Sequence, residues 1–335
     1  MAPKQLVEKT INFDSPERIP RQVWILPWAE ENYPQEVYRL KMDFPDDITM
    51  APQEYLKPLD TNGKRYKKGT YIDEWGCYFD NAHNGVIGVV RKPMISKWED
   101  LNHFKTPEAT LGVNREIVNA FCRSTDQFIL AGSWVRPFER FQFIRTMEQG
   151  FIDLIEDPPE LPVLLNKIHV HYCKEVEVWA KTDIDAISLM DDWGTQNGLL
   201  VSPQIFRKYF IPMYKDYVEI ARNYGKYVFM HSDGEITEII PDLIEVGIDA
   251  LNSQLFCMDI EKLGELFRGK ITFWGEIDRQ HLLPKGIKED IKKAVNRVYD
   301  NLYSKGGVIA QCEFGPAAKP ENVFTVFETW NSIKL

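Results

Sequence analysis

The run Tyr227-Val228-Phe229-Met230-His231-Ser232-Asp233-Gly234, continued by Glu235 to Glu245 and by Ala250-Leu251-Asn252-Ser253-Gln254, decides the fold. Four β-prone residues end in a polar cluster. The next stretch sets Ile236, Ile239, Ile240, Leu243 and Ile244 at i, i+3, i+4, i+7 and i+8, the stripe of an amphipathic helix. A second short apolar run then ends in a second polar cluster. Strand, helix, strand in this order implies parallel strands, because a parallel return needs a crossover.

The same unit recurs in both directions along the chain. Gln22–Leu26 ends in Pro27-Trp28-Ala29-Glu30, Phe128–Leu130 in Gly132-Ser133-Trp134, and Ala186–Leu189 in Asp191-Asp192-Trp193-Gly194. Ile271–Trp274 ends in Gly275-Glu276-Ile277-Asp278, and Val308–Ala310 in Gln311-Cys312-Glu313-Phe314-Gly315. Helical stretches at Pro203 to Arg222, Ile287 to Tyr303 and Glu321 to Trp330 lie between or after them; the first opens with Ser202-Pro203, a cap followed by a first-turn proline. These are seven units of an expected eight. The missing strand is sought near Val86–Val90 or elsewhere in the turn-rich excursion 43–91, where Thr70–Phe79 and Val86–Val90 read as a hairpin.

The expected fold is α/β: a (β/α)8 barrel spanning 1–335 as one domain, with an N-terminal hairpin-containing extension. An open doubly wound sheet is the competitor. Against it, no GxGxxG or Walker sequence follows any strand, and polar clusters follow nearly every strand rather than one switch point. In a barrel such clusters meet on one rim.

With 335 residues, 44% hydrophobic and 13% aromatic, the chain has material for one large core. A net charge of −10 argues against nucleic acid as a partner, since phosphates select basic surfaces. No secretory h-region follows Met1 and no apolar run reaches membrane-span length, so a cytoplasmic protein without a membrane partner is expected. The five scattered cysteines form no CxxC pair.

His231 and Asp233 stand two apart at a strand end and so face the same way. That pattern suits a metal or an acid–base pair; equally, the histidine can bond a helix-capping aspartate. Cys312 and Glu313 offer a thiolate and a carboxylate, although a lone cysteine is usually a small buried hydrophobe. Glu276 and Asp278 end another strand, and Cys257 lies just past Gln254. Asp191 and Asp192 point to opposite sides of a strand, so one of them at most handles a proton or positions substrate. Trp134, Arg136, Phe138 and Arg140 form an aromatic–basic cluster, which is either a ligand wall or a packed rim, and Trp28 and Tyr33 are further aromatic candidates. His169 and Cys173 share a helix face that reads as an outer one. No GxSxG elbow is present.

The run from His231-Ser232-Asp233-Gly234 through Pro241-Asp242-Leu243-Ile244-Glu245-Val246-Gly247-Ile248-Asp249-Ala250-Leu251-Asn252 resembles the uroporphyrinogen decarboxylase superfamily, as do Phe273-Trp274-Gly275-Glu276-Ile277-Asp278-Arg279-Gln280 and Leu283-Pro284-Lys285-Gly286. The resemblance is good from about Asp185 onward, and it implies the same barrel. True decarboxylases of the superfamily carry an N-terminal arginine-rich motif for the substrate's carboxylates. Here Arg21 stands alone before Pro27-Trp28-Ala29-Glu30.

The other branch implied is that of zinc methyltransferases serving corrinoid proteins, with His-x-Cys after one strand and a second Cys about 80 residues later. His231 fits, Cys312 lies 81 positions on, and Asp233 replaces the first cysteine. The resemblance therefore implies zinc on His231, Asp233 and Cys312, with Glu276 or Cys257 as the fourth ligand. So hard a donor set suits polarising an oxygen better than activating a thiol. The expected function is methyl transfer from a small-molecule methyl ether, such as a methoxylated aromatic, to the Co(I) cobalamin of a separate corrinoid-binding protein. Asp191 and Asp192 are the catalytic candidates, and Trp28, Trp134, Arg136 and Trp193 the substrate-binding ones. No DxHxxG-type cobalamin motif is present in this chain. A metal-independent decarboxylase and a non-catalytic tetrapyrrole-binding barrel are the alternatives.

Overall fold

The computed structural model describes residues 1–335. Its strands are β1 (Arg21–Ile25), β2 (Ile48–Met50), β3 (Gly69–Ile72), β4 (Tyr78–Asn81), β5 (Val89–Lys92), β6 (Phe128–Leu130), β7 (Ala186–Met190), β8 (Tyr227–Ser232), β9 (Ala250–Ser253), β10 (Thr272–Trp274) and β11 (Val308–Phe314). Eight of them form one parallel sheet in the order β1-β11-β10-β9-β8-β7-β6-β2, and β3-β4-β5 make a separate antiparallel sheet. With helices around the parallel sheet, this is the (β/α)8 barrel.

The eighth barrel strand is Ile48–Met50, inside the excursion but not at Val86–Val90, of which only Val89 and Val90 belong to β5 of the antiparallel sheet. Three residues behind Pro45-Asp46-Asp47 read as a turn, yet those two acids close the barrel. The Asp47 N–H donates to the Arg21 carbonyl (2.9 Å). The Asp46 and Asp47 carboxylates accept the N–H groups of Val23 (2.8 Å) and Arg21 (2.9 Å). Arg18 grips Asp47 with both terminal nitrogens, at 2.7 and 2.6 Å. Side chains thus replace a regular ladder at the β1/β2 seam.

Proline places the helix boundaries. The stretch from Pro203 breaks into Pro203–Tyr209 and Ile211–Asn223, because Pro212 has no N–H to continue the hydrogen-bond ladder. Pro241 has the same effect: only Ile240–Val246 is α-helical, after a 3-10 turn at Thr237–Ile239. No helix is long and apolar enough to cross a membrane.

Two buried layers sort the barrel residues. Ile48, Phe128, Leu130, Ala186, Phe229, Ala250, Trp274 and Ile309, one or two from each of seven barrel strands, pack with Val7 and Ile11 of the N-terminal helix; Trp24 of β1 joins them. This is the barrel interior. Val23, Ile129, Ile187, Leu189, Val228, Met230, Leu251, Phe273, Val308, Ala310, Cys312 and Phe314 belong instead to the layer between strands and helices. Alternation along each strand therefore fixes which rim residues face inward.

Candidate active site

On β8 the inward positions run Tyr227, Phe229, His231, and the last of these reaches the rim. Its Nδ1 lies 2.6 Å from Asn252 Oδ1, while the Asn252 amide donates to the Trp274 carbonyl. With Oδ1 thus turned to the ring, Nδ1 carries a proton and Nε2 is left to face Asp192 Oδ1 and Asp233 Oδ1, each 3.5 Å away. Burial alone would drive the imidazolium proton off. The two carboxylates outweigh it and raise the histidine to about 9. Burial likewise pushes Asp192 up, but His231 outweighs it and holds Asp192 low. Asp192 Oδ1 also accepts the Asp233 N–H (3.0 Å), which ties the two rim loops together.

His231, Asp192 and Asp233 offer three ligand atoms within 4.8 Å of one another. Asp233 Oδ1 is buried and accepts no hydrogen bond. An imidazole nitrogen with its tautomer fixed from behind, two carboxylates and an orphaned oxygen fit a divalent ion with mixed N/O ligands, zinc included.

Beside them stands Arg279. Its guanidinium contacts Asp233, and lies 3.4 Å from Glu276 Oε1 and 3.3 Å from Glu313 Oε2. Glu276 is buried, with its Oε1 outside any hydrogen bond, and burial raises its carboxyl to about 8 against the pull of Arg279. Gly275 delivers it: its φ is 72°, and a Cβ there would lie 2.2 Å from Gln311 Oε1. Gly234 serves the His231 loop similarly, with φ 86° and room for a Cβ only inside the Gly194 backbone.

A cavity of about 210 Å³ adjoins the rim. Trp134, Arg136 and Glu139 come from the segment after β6; Tyr71 and Phe79 come from the antiparallel sheet, and Trp75 from the connection between β3 and β4. Trp24 links cavity and cluster, its ring 6.1 Å from Trp134 and 5.1 Å from His231.

Residues 70–333 match the family model described as uroporphyrinogen decarboxylase (URO-D). The chain belongs to the uroporphyrinogen decarboxylase family. No curated protein matches it by sequence. Among solved structures, a methyltransferase from Methanosarcina mazei is similar at TM-score 0.70 and 15% identity, covering 99% of this chain and 98% of that one. An endo-β-1,4-xylanase from Gloeophyllum trabeum reaches TM-score 0.39 at 12% identity over 64% and 79% of the two chains. A D-psicose 3-epimerase reaches 0.38 at 10% identity over 70% and 84%.

Within this family fold the structure rearranges the residues expected from sequence. His231 and Asp233 come together as expected, joined by Asp192 rather than by Cys312. Cys312 is fully buried between strand and helix, paired in register with Val23, and points away from the rim. Its neighbour Glu313 is the inward residue, and burial pushes the Cys312 thiol well up. Glu276 reaches the rim but is held against Arg279, outside the three-residue group. Cys257 sits at 3.2 and 3.4 Å from Gln196 and Gln254 and is likewise outside the group.

Asp191 points outward: it accepts the N–H groups of Phe138 (3.2 Å) and Glu139 (2.7 Å) and the Tyr214 hydroxyl (2.6 Å). Trp193 is fully buried, stacked on Phe138 at 3.9 Å, with its indole N–H given to Tyr214. Both are framework rather than pocket. Trp134 and Arg136 do line the cavity, whereas Trp28 packs on Tyr33 elsewhere on the rim. On the outer helix Leu161–Ala180, His169 and Cys173 gain Asp216 as a neighbour, but both ring nitrogens already face Tyr217 and Asp216.

Asn252, Glu139 and Arg279 join the site without having been among the residues expected from the sequence. The i, i+3 spacing of Glu276 and Arg279 was a visible signal; nothing local marks the other two.

Proposed function

We propose that this chain is a zinc-dependent methyltransferase that moves the methyl group of a methyl ether to the Co(I) corrinoid of a separate protein. The observation that carries the reading is the His231–Asp192–Asp233 donor set, at the rim of a family barrel, next to an aromatic-walled cavity. His231, Asp192 and Asp233 would hold the metal. Bound there, zinc supplies Lewis acidity toward the ether oxygen. Asn252 keeps the His231 tautomer that leaves Nε2 available. Glu276 and Glu313 hold Arg279 beside Asp233, so the guanidinium offsets surplus negative charge around the ligands.

The cavity is smaller than the roughly 300–1,000 Å³ typical of pockets for drug-sized ligands, which suits a one-ring substrate. The buried Arg140 is matched by Asp73 and Glu74, so the aromatic walls favour an uncharged methoxylated ring. The likeness to a methyltransferase fold supports the same class.

The test has two parts. Metal-replete protein should hold zinc, and His231→Ala should not. A screen of methyl donors with Co(I) cobalamin should give the methylcobalamin spectrum with at least one methoxyarene. A protein that takes up no zinc refutes the mechanism. That result would favour a metal-independent decarboxylase, a reading supported by Arg279 already neutralising the carboxylates.

A further inference from the structure

The sequence offered Asp191 as a proton carrier, and its burial away from the rim takes that role from it. The residue Asp191 holds in place is better situated. The helix Pro137–Arg145 begins at the rim, and the Asp191 carboxylate receives the N–H groups of its first turn, at Phe138 and Glu139. Behind Asp191, the Trp193 indole N–H donates to the Tyr214 hydroxyl, and that hydroxyl donates to Asp191. Two buried aromatics and a buried carboxylate thus fix the backbone of Glu139.

The Glu139 side chain itself runs the other way. It is 16% exposed, lines the cavity with Trp134 and Arg136, and lies 3.5 Å from the Arg136 guanidinium. Its charged surroundings come from several elements: Arg136 and Arg140 on its own segment, Asp192 beyond β7, and His231 on β8.

We propose that Glu139 is the general acid of this site, giving its proton to the oxygen that leaves when the methyl group is transferred. The proposal rests on the methyl-ether reading above. In the step, the C–O bond breaks and its electron pair stays on oxygen. The methyl carbon takes the electron pair of the reduced cobalt, the co-substrate. The carboxylic proton of Glu139 goes to the oxygen, so that a phenol departs and a carboxylate remains, to be reprotonated from solvent. Without that proton the leaving group is a phenoxide, whose stability depends on ring substituents.

Burial raises the Glu139 carboxyl to about 7, further up against Asp192 and down against Arg136, so a protonated fraction persists near neutrality. The geometry stands independently: no other carboxylate both lines the cavity and is fixed through its own backbone by the rim framework.

The experiment measures methyl transfer to Co(I) cobalamin by wild type, Glu139→Gln and Glu139→Asp, using methoxybenzenes whose phenols span a wide range of acidity. With unactivated rings, Glu139→Gln should fall by about 100-fold or more, the usual scale of general acid catalysis. With nitro-activated rings, whose phenoxides leave unaided, it should stay within a few-fold of wild type, and Glu139→Asp should fall in between. Zinc content and thermal unfolding of the variants should match wild type. An equal loss across the series, or none, overturns the role of Glu139 while leaving the methyltransferase reading intact. If wild type transfers methyl from no donor, the reading fails and the proposal with it.

Discussion

Asp191 and Asp192 are consecutive in the chain and occupy opposite sides of the barrel wall. So do Cys312 and Glu313. On the outer side, Asp191 is sealed among Phe138, Tyr214 and Trp193 with its oxygens saturated by N–H and O–H donors. Cys312 is packed there as a small apolar group. On the inner side, Asp192 meets His231, Glu313 meets Arg279, and buried oxygens of Asp233 and Glu276 lack hydrogen bonds. At the rim, the outward Asp191 is spent on holding the framework in shape, while the inward Asp233 and Glu276 each keep an unsatisfied carboxylate oxygen. Unsatisfied buried polar atoms cost stability, so carboxylate oxygens left without donors at a rim mark a place where an ion or a ligand would bind.

This contrast can be broken in several places. The largest expected effect is on metal: His231→Ala, or Asp192→Asn with Asp233→Asn, should abolish zinc uptake, while Asp191→Asn should retain it, as read by metal analysis after dialysis. Conversely Asp191→Ala should be the destabilising member of the pair. It strips three donors of their acceptor, and chemical denaturation should show a loss of about 2–4 kcal/mol. Asp192→Ala, half open to water, should cost far less. If the two variants unfold alike, the inner–outer distinction is wrong.

Next in size, Asn252→Ala should weaken zinc binding about 10–100-fold by freeing the His231 tautomer, measurable by competition with a chromophoric chelator. Cys312→Ala should leave zinc content untouched and cost about 1 kcal/mol of packing; loss of the metal would return Cys312 to the ligand set.

A separate test concerns pH. The unfolded Glu276 carboxyl ionises near 4.5, but in the fold it stays protonated up to about 8. Between those values the folded state binds the extra proton, so the metal-free protein should lose stability as pH rises from about 5 to 8. His231 works in the same sense. Raised from 6.5 to about 9, it contributes stability that is complete below 6.5 and lost as pH rises through 9. Melting temperatures of metal-free protein should fall across this range, and Glu276→Gln should flatten the part below pH 8.

Much of the barrel was legible because helix and strand periods differ and the polar clusters punctuate them. Ile48–Met50 escaped because three residues carry no period, and its pairing to β1 is made largely by Asp46 and Asp47 side chains. At the site, His231 and Asp233 were legible as an i, i+2 pair at a strand end. Asn252 and Glu139 were not, since each matters only through a residue 21 or 52 positions away with which it shares a hydrogen bond.

The sequence by itself determined the alternation of strand and helix, the family to which the chain belongs, and the strand ends where chemistry would gather. Tertiary structure decided which residue at each end faces the lumen. A barrel strand is buried on both sides, so Val308-Ile309-Ala310-Gln311-Cys312-Glu313-Phe314 shows no apolar–polar alternation over its first half from which to read the inward face. Only closure of the sheet, which turns one face to the interior and the other to the helices, puts Glu313 on the rim and Cys312 behind it.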